Sequence, residues 1–209
     1  MNNTQAIETP SSHGGSHRKK LLLVAAIFLA PPILAWIAFH YFSGDMSSST
    51  SNTGQLVTPA RPIVAFAATD ADGKAYDEDM LRGRWSYVMY ARECGEACRR
   101  QLYLTRQIRA SVNKDIGRVQ RVLVLGGTVT PALRQLQREE HPDLLVVRVD
   151  DENQRRLAVL LELDGHRLDG QSLYLFDPLG NYMMRYDLGM APAGMLKDLR
   201  KLLKLSRIG

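Results

Sequence analysis

Trp85-Ser86-Tyr87-Val88-Met89-Tyr90-Ala91 leads, three residues on, into Cys94-Gly95-Glu96-Ala97-Cys98. The first seven residues are rich in aromatics and follow Gly83, so they read as a buried strand. A helix is expected from about Ala97 to Val112, with Leu102, Ile108 and Val112 marking its apolar stripe. Working outward, Ile63 to Ala67 reads as a short strand running into the turn Asp70-Ala71-Asp72-Gly73. Downstream, Arg118 to Leu125 reads as a strand closed by Gly126-Gly127, Pro131 to Glu140 as a helix, Leu144 to Val149 as a strand and Glu152 to Leu161 as a helix. Leu173 to Phe176 and Tyr182 to Tyr186 form a hairpin across Asp177-Pro178-Leu179-Gly180-Asn181, and Ala193 to Ser206 is a last helix. That order implies an α/β fold, a mostly parallel sheet with an antiparallel edge and helices on both faces.

Before this domain lies a segment of another kind. In Leu21 to Phe42, 19 of 22 residues are apolar, the exceptions being Pro31, Pro32 and His40. A helix of that length measures roughly 33 Å, enough to cross a bilayer core. Arg18, Lys19 and Lys20 abut its start, whereas residues 43–60 contain no Lys or Arg. The positive-inside rule then keeps residues 1–20 in the cytoplasm and sends the C-terminal domain across, to the periplasmic side of an inner membrane. A cleaved signal peptide would have an apolar core of about 7–15 residues, and this run is longer. Trp36, His40, Tyr41 and Phe42 close it as an interfacial belt, and Pro31-Pro32 are expected to kink the helix without breaking it. Residues 43–60, rich in Ser and Thr, read as a flexible linker, leaving residues 61–209 as the domain.

The net charge is +5, of which residues 1–20 carry +2, leaving 24 basic against 21 acidic residues in the rest. Such a mixed surface, without aromatics interleaved among Lys and Arg, excludes a nucleic-acid-binding footprint.

Cys94 and Cys98 are the only cysteines. They fall between a strand and the start of a helix, where unpaired N–H groups and the helix dipole favour a thiolate. Arg92, Arg99 and Arg100 act in the same direction, and Glu93 and Glu96 oppose it. Spacing of four residues puts both sulfurs on one helical face, suited to holding a soft metal such as Cu(I) or to closing a disulfide. A bridge across so short a loop removes little entropy from the unfolded chain, so redox or metal chemistry explains the pair better than a structural staple does. A closed zinc site needs four protein ligands, and no third cysteine exists.

With its anchor, the Phe66-to-Trp85 lead-in ending in Leu81-Arg82-Gly83-Arg84-Trp85, the C-x-x-x-C pair after a strand, and Leu175-Phe176-Asp177-Pro178-Leu179-Gly180, the chain resembles Sco/SenC-type proteins over about residues 60–190. These are membrane-anchored thioredoxin-fold proteins that help assemble the copper centre of cytochrome c oxidase. The resemblance implies a thioredoxin-like domain, Cys94 and Cys98 as a redox pair or as copper ligands, and a cytochrome c oxidase subunit or another copper chaperone as partner. In that family a histidine just before the penultimate strand is the third copper ligand. The matching position here is about Asp169, and the nearest histidine is His166, flanked by Gly165 and Gly170. The prolines that usually surround the Sco cysteines are missing. A periplasmic thiol–disulfide oxidoreductase and a degenerate thioredoxin-fold scaffold are the alternatives. Against the first stand the three-residue spacing, where thioredoxin-like enzymes use two, and the lack of a proline in Leu163 to Ser172.

Other candidates take plainer readings. Gly126-Gly127-Thr128 lacks the pattern of a phosphate loop and reads as a strand end. Of Met183 and Met184, one must face the core. Asp150-Asp151-Glu152 reads as a charged helix start, and His141-Pro142 as a helix exit. The last helix sets Met195, Leu196, Leu199, Leu202 and Leu203 against a basic face of Lys197, Arg200, Lys201, Lys204 and Arg207 that suits anionic lipid or an acidic partner.

Overall fold

The computed structural model describes residues 14–46, 52–166, 168, 170–206 and 208, in two units, Met1–Ser51 and Asn52–Gly209. In the first unit, helix α1 (Gly14–Met46) runs unbroken through Pro31 and Pro32. Its stretch Arg18–Ile37 is long and apolar enough to cross a membrane and is wholly exposed within the protein. Residues 1–13 of the predicted cytoplasmic segment lie outside the described residues.

In the second unit, one eight-stranded sheet has the order β1-β8-β7-β4-β5-β6-β2-β3. The strands are β1 (Gln55–Pro62), β2 (Ala67–Asp70), β3 (Ala75–Asp77), β4 (Trp85–Ala91), β5 (Val119–Leu125), β6 (Leu144–Arg148), β7 (Ser172–Phe176) and β8 (Asn181–Asp187). Only β4/β5 and β5/β6 pair in parallel, and every other neighbour is antiparallel. The sheet is therefore mixed, and less parallel than the element order implies, because the N-terminal strands join both edges.

Two boundaries are corrected. The linker expected over residues 43–60 gives way to β1 at Gln55, and residues 47–51 lie outside the described residues. β1 escapes a periodicity reading because backbone pairing with β8 holds it and, of its eight residues, only Val57 is buried. The strand expected over Ile63 to Ala67 begins only at Ala67. Ile63 and Phe66 are buried without being in a strand, and the ladder runs through Ala67–Asp70.

The helices are α2 (Glu96–Ala110), α3 (Pro131–Glu140), α4 (Asp151–Leu161) and α5 (Pro192–Leu205). β4 is buried along its whole length because both sheet faces are covered. Trp85, Tyr87, Met89 and Ala91 join one core cluster, with Leu102 of α2, Leu133 of α3 and Leu199 of α5. Val88 and Tyr90 point the other way, to a second cluster holding Leu157 and Leu160 of α4 with Phe66 and Leu81. Met184 is buried, as one of its pair had to be. α3 and α4 start on side-chain caps, with Thr130 accepting from the Leu133 N–H and Asp150 from the Asn153 N–H. His141 closes α3.

A charged group sits inside the first cluster. Arg121 on β5 is fully buried, and its guanidinium reaches Asp143 at 3.1 Å, the Thr105 hydroxyl at 3.0 Å and the Leu102 carbonyl at 2.5 Å. His141 lies 3.4 Å from it, and burial, then the Arg121 charge, pushes its imidazole below the usual value.

Candidate thiol site

Parallel strands β4 and β5 end side by side, and the chain beyond β4 turns back through Arg92 and Glu93 to reach α2. That is the crevice outside the carboxyl ends of the strands, beside the point where β4 has a parallel neighbour on one side and antiparallel β7 on the other. Cys94 stands in this turn, two residues before the helix, and Cys98 in its first turn. The two are joined as a disulfide with their Cα atoms 5.1 Å apart. The sulfurs therefore meet from loop to helix and not along one helical face, because α2 starts only at Glu96.

Burial separates the two sulfurs chemically. Cys94 is half-buried, whereas Cys98 is buried at 3% exposure. Gly95 is the residue capping α2 and contributes no side-chain hydrogen bond there, in contrast to Thr130 and Asp150. The first N–H groups of α2 thus face the turn without a side-chain acceptor, and negative charge on Cys98 is favoured there. Arg92, Glu93, Glu96, Arg99 and Arg100 are all exposed, so water and salt weaken their opposing influences.

Beside Cys98 opens a cleft of about 580 Å³ whose walls include Tyr90, Arg92, Gln154, Leu168 and Gly170. Two of these walls hold buried polar atoms with no hydrogen-bond partner among the described residues, the Tyr90 hydroxyl and the Gln154 side-chain oxygen. Burial raises the Tyr90 phenol pKa, Arg92 opposing and Asp151 adding, so the group stays a neutral donor. Glycines fix how tightly the segments approach. A Cβ at Gly126 would lie 2.7 Å from both of those polar atoms, and one at Gly127 would lie 2.5 Å from the Arg92 carbonyl oxygen. Gly170, at φ +75°, comes within 3.2 Å of the Tyr90 carbonyl oxygen in the same construction. Gly126-Gly127 is indeed a strand end, and it also seats the cysteine turn. Tyr90, Gln154 and Gly170 carry no sequence signal of this role; the glycine pair was visible but is silent about what crosses it.

His166 takes a different place. It is exposed and closes a tight turn, its N–H donating to the Leu163 carbonyl at 2.9 Å, with Asp164 and Gly165 both at positive φ. It is not among the residues lining the cleft. Asp169, the other position considered for a third ligand, lies outside the described residues. Among the described residues no group of three His, Cys, Asp or Glu could hold a metal ion. Cys94, Cys98 and His166 do not form such a group among the described residues.

Known proteins match at two levels. The family described as transmembrane-like, thioredoxin-like, C-terminal domain matches residues 85–206. Among curated proteins, no sequence matches the chain. The fold is similar to that of Arabidopsis thaliana ScoI with copper bound, at 20% identity and TM-score 0.56, covering 68% of this chain and 98% of that one. It is also similar to yeast Sco1, at 15% identity and TM-score 0.59, over 72% of this chain and 98% of that one. A third likeness is to BsSco, a member of the Sco family of cytochrome c oxidase assembly proteins in which a disulfide switch was identified, at 14% identity, TM-score 0.55 and coverage of 73% and 99%. The Sco/SenC-type resemblance and the thioredoxin-like class thus hold at the level of fold.

Proposed function

Because the chain belongs to the transmembrane-like, thioredoxin-like, C-terminal domain family, we propose that it is a membrane-anchored, Sco-like protein. Its work is to support cytochrome c oxidase biogenesis from the periplasmic side, through thiol–disulfide chemistry at Cys94 and Cys98. The observation that carries this reading is the disulfide itself, formed between a half-buried cysteine and a buried one, Cys98, that lines a cleft.

In the reduced protein the Cys94 thiolate attacks a disulfide of the partner, forming a mixed disulfide and releasing one partner thiolate. The Cys98 thiolate then attacks the Cys94 sulfur and releases the second. Two electrons pass to the partner, whose thiolates take up two protons, and this chain is left with the Cys94–Cys98 bond. The α2 N-terminus lowers the cost of the Cys98 anion before its attack. A dithiol reductant regenerates the pair by the reverse sequence.

Copper carriage is a second reading, favoured by the copper-bound ScoI neighbour. Reduced Cys94 and Cys98 would supply two soft ligands to copper as cargo, and a third donor would have to come from elsewhere, His166 after a change of its turn or a partner's group.

One pair of measurements separates the readings. Equilibrating the full chain in dithiothreitol buffers is expected to give a single two-electron transition, abolished in Cys94→Ser. Titrating the reduced chain with Cu(I) against a competing chelator tests carriage. A pair that exchanges with dithiols and ignores copper supports the redox role, whereas Cu(I) binding lost in Cys94→Ser supports carriage. Normal oxidase assembly in cells carrying Cys94→Ser/Cys98→Ser would overturn both and leave a scaffold. An unchanged copper spectrum in His166→Ala would remove that residue from the site.

A further inference from the structure

Helix α5 buries Met195, Leu199 and Leu203 and presents Lys197, Arg200, Lys201 and Lys204 to solvent. Its one acidic residue, Asp198, is turned inward at 1% exposure. There it accepts hydrogen bonds from the Thr53 and Gly54 N–H groups at 2.8 and 2.9 Å. The helix that carries the cations is thus the helix to which the first residues of the domain are fastened. Five residues, 47–51, separate Met46 of α1 from Asn52 in the sequence.

We propose that the exposed face of α5 rests on the anionic lipid surface into which α1 is anchored, and so sets the orientation of the thiol domain over the membrane. The inference rests on the anchored reading of α1 and is independent of what the cysteines do. Three observations converge. The exposed face of α5 carries four cations and no acid. Lys114 extends the patch across a hollow of about 640 Å³ that it lines with Arg200 and Lys204, and the one acid lining that hollow, Asp115, pairs with Arg118 at 3.2 Å. Leu205 at the end of α5 and Ile208 just beyond it are 72% and 54% exposed, apolar groups at the end of a basic face, as interfacial helices carry them. No residue of α5 lines the cleft beside Cys98, so a membrane under α5 leaves the disulfide open to a partner.

The test uses the full chain in vesicles of phosphatidylcholine with or without phosphatidylglycerol, reading lysine acetylation rates by mass spectrometry. Each cation near an anionic surface is worth about a fivefold change in partitioning. Acetylation of Lys197 and Lys204 is therefore expected to slow by at least about fivefold with phosphatidylglycerol, while Lys74 on β2–β3 does not change. Salt at about 1 M, where the screening length falls to about 3 Å, should restore the rates. Lys197→Glu/Lys204→Glu, which alters only exposed side chains, should abolish protection at Lys201. Equal rates in both lipids overturn the proposal, and so does equal protection in both, which would mean that a second copy or another protein face covers the helix. Loss of the chain from the vesicles on alkaline extraction overturns the anchored reading and this inference together. Retention without protection overturns the inference alone.

Discussion

Arg121 places a guanidinium in the core on a strand otherwise built of Val, Leu and Gln, and its neighbours decide what that costs. Asp143, 26% exposed at its side chain, is shared with Arg109 at 3.3 Å, so one carboxylate answers two cations. Removing the acid leaves Arg121 charged, buried and without a counter-ion. Replacing the arginine by an apolar side chain removes the charge that needed one. Asp143→Ala is accordingly expected to lower unfolding free energy by about 2–3 kcal/mol, less than for a fully buried pair. Arg121→Met should cost less than half as much, as urea denaturation would show. An equal loss in the two variants would mean that the hydrogen bonds to Thr105 and Leu102 matter more than the charge.

At the scale of elements, α2 is the helix whose start lies beside the cysteine pair. Gly95 has ordinary extended backbone and open space where a Cβ would stand, so Gly95→Asp fits without displacement. The new carboxylate would cap α2 for a gain of a few tenths of a kcal/mol, about the difference between Gly and Asp at such a position. It would also take the N–H groups that favour thiolate on Cys98. The expected result is a slightly more stable domain with a raised Cys98 thiol pKa, followed by thiolate absorbance in the reduced protein. An unchanged titration would show that the helix start does not tune that sulfur. The same element shows how far sequence reasoning reaches. The strand, the cysteines and the start of α2 near Glu96 were legible because hydrophobic pattern and helix signals are local. The sheet edges were not, since β1 is held by backbone pairing with β8 and β3 is only three residues long. The cleft was invisible for another reason: Tyr90, Gln154 and Gly170 come from three separate segments, and their shared wall exists only once the chain has folded. His166 was placed near the site by its distance along the chain, which says nothing of the turn through Asp164 and Gly165 in which it lies.

At the scale of the whole molecule, the thiol domain starts at a clamp. Gly54 lies against the buried Tyr186 ring, where a Cβ would come within 2.5 Å of the ring. Tyr186 is itself fully buried. Gly54→Ala should therefore release residues 52–56 from α5 at a cost of about 1–3 kcal/mol, seen as faster limited proteolysis at that segment. A protease pattern like that of the parent would show that the ring moves instead. The strand that begins at this clamp has a further consequence. β1 forms the outer margin of the sheet and contains Pro59 and Pro62, which lack amide hydrogens, and its register shifts between Leu56 and Arg61. The opposite margin is the three-residue β3. An incoming chain finds an interrupted row of donors on one side and almost no row on the other. Neighbouring copies are thereby kept from zipping their sheets together into fibres.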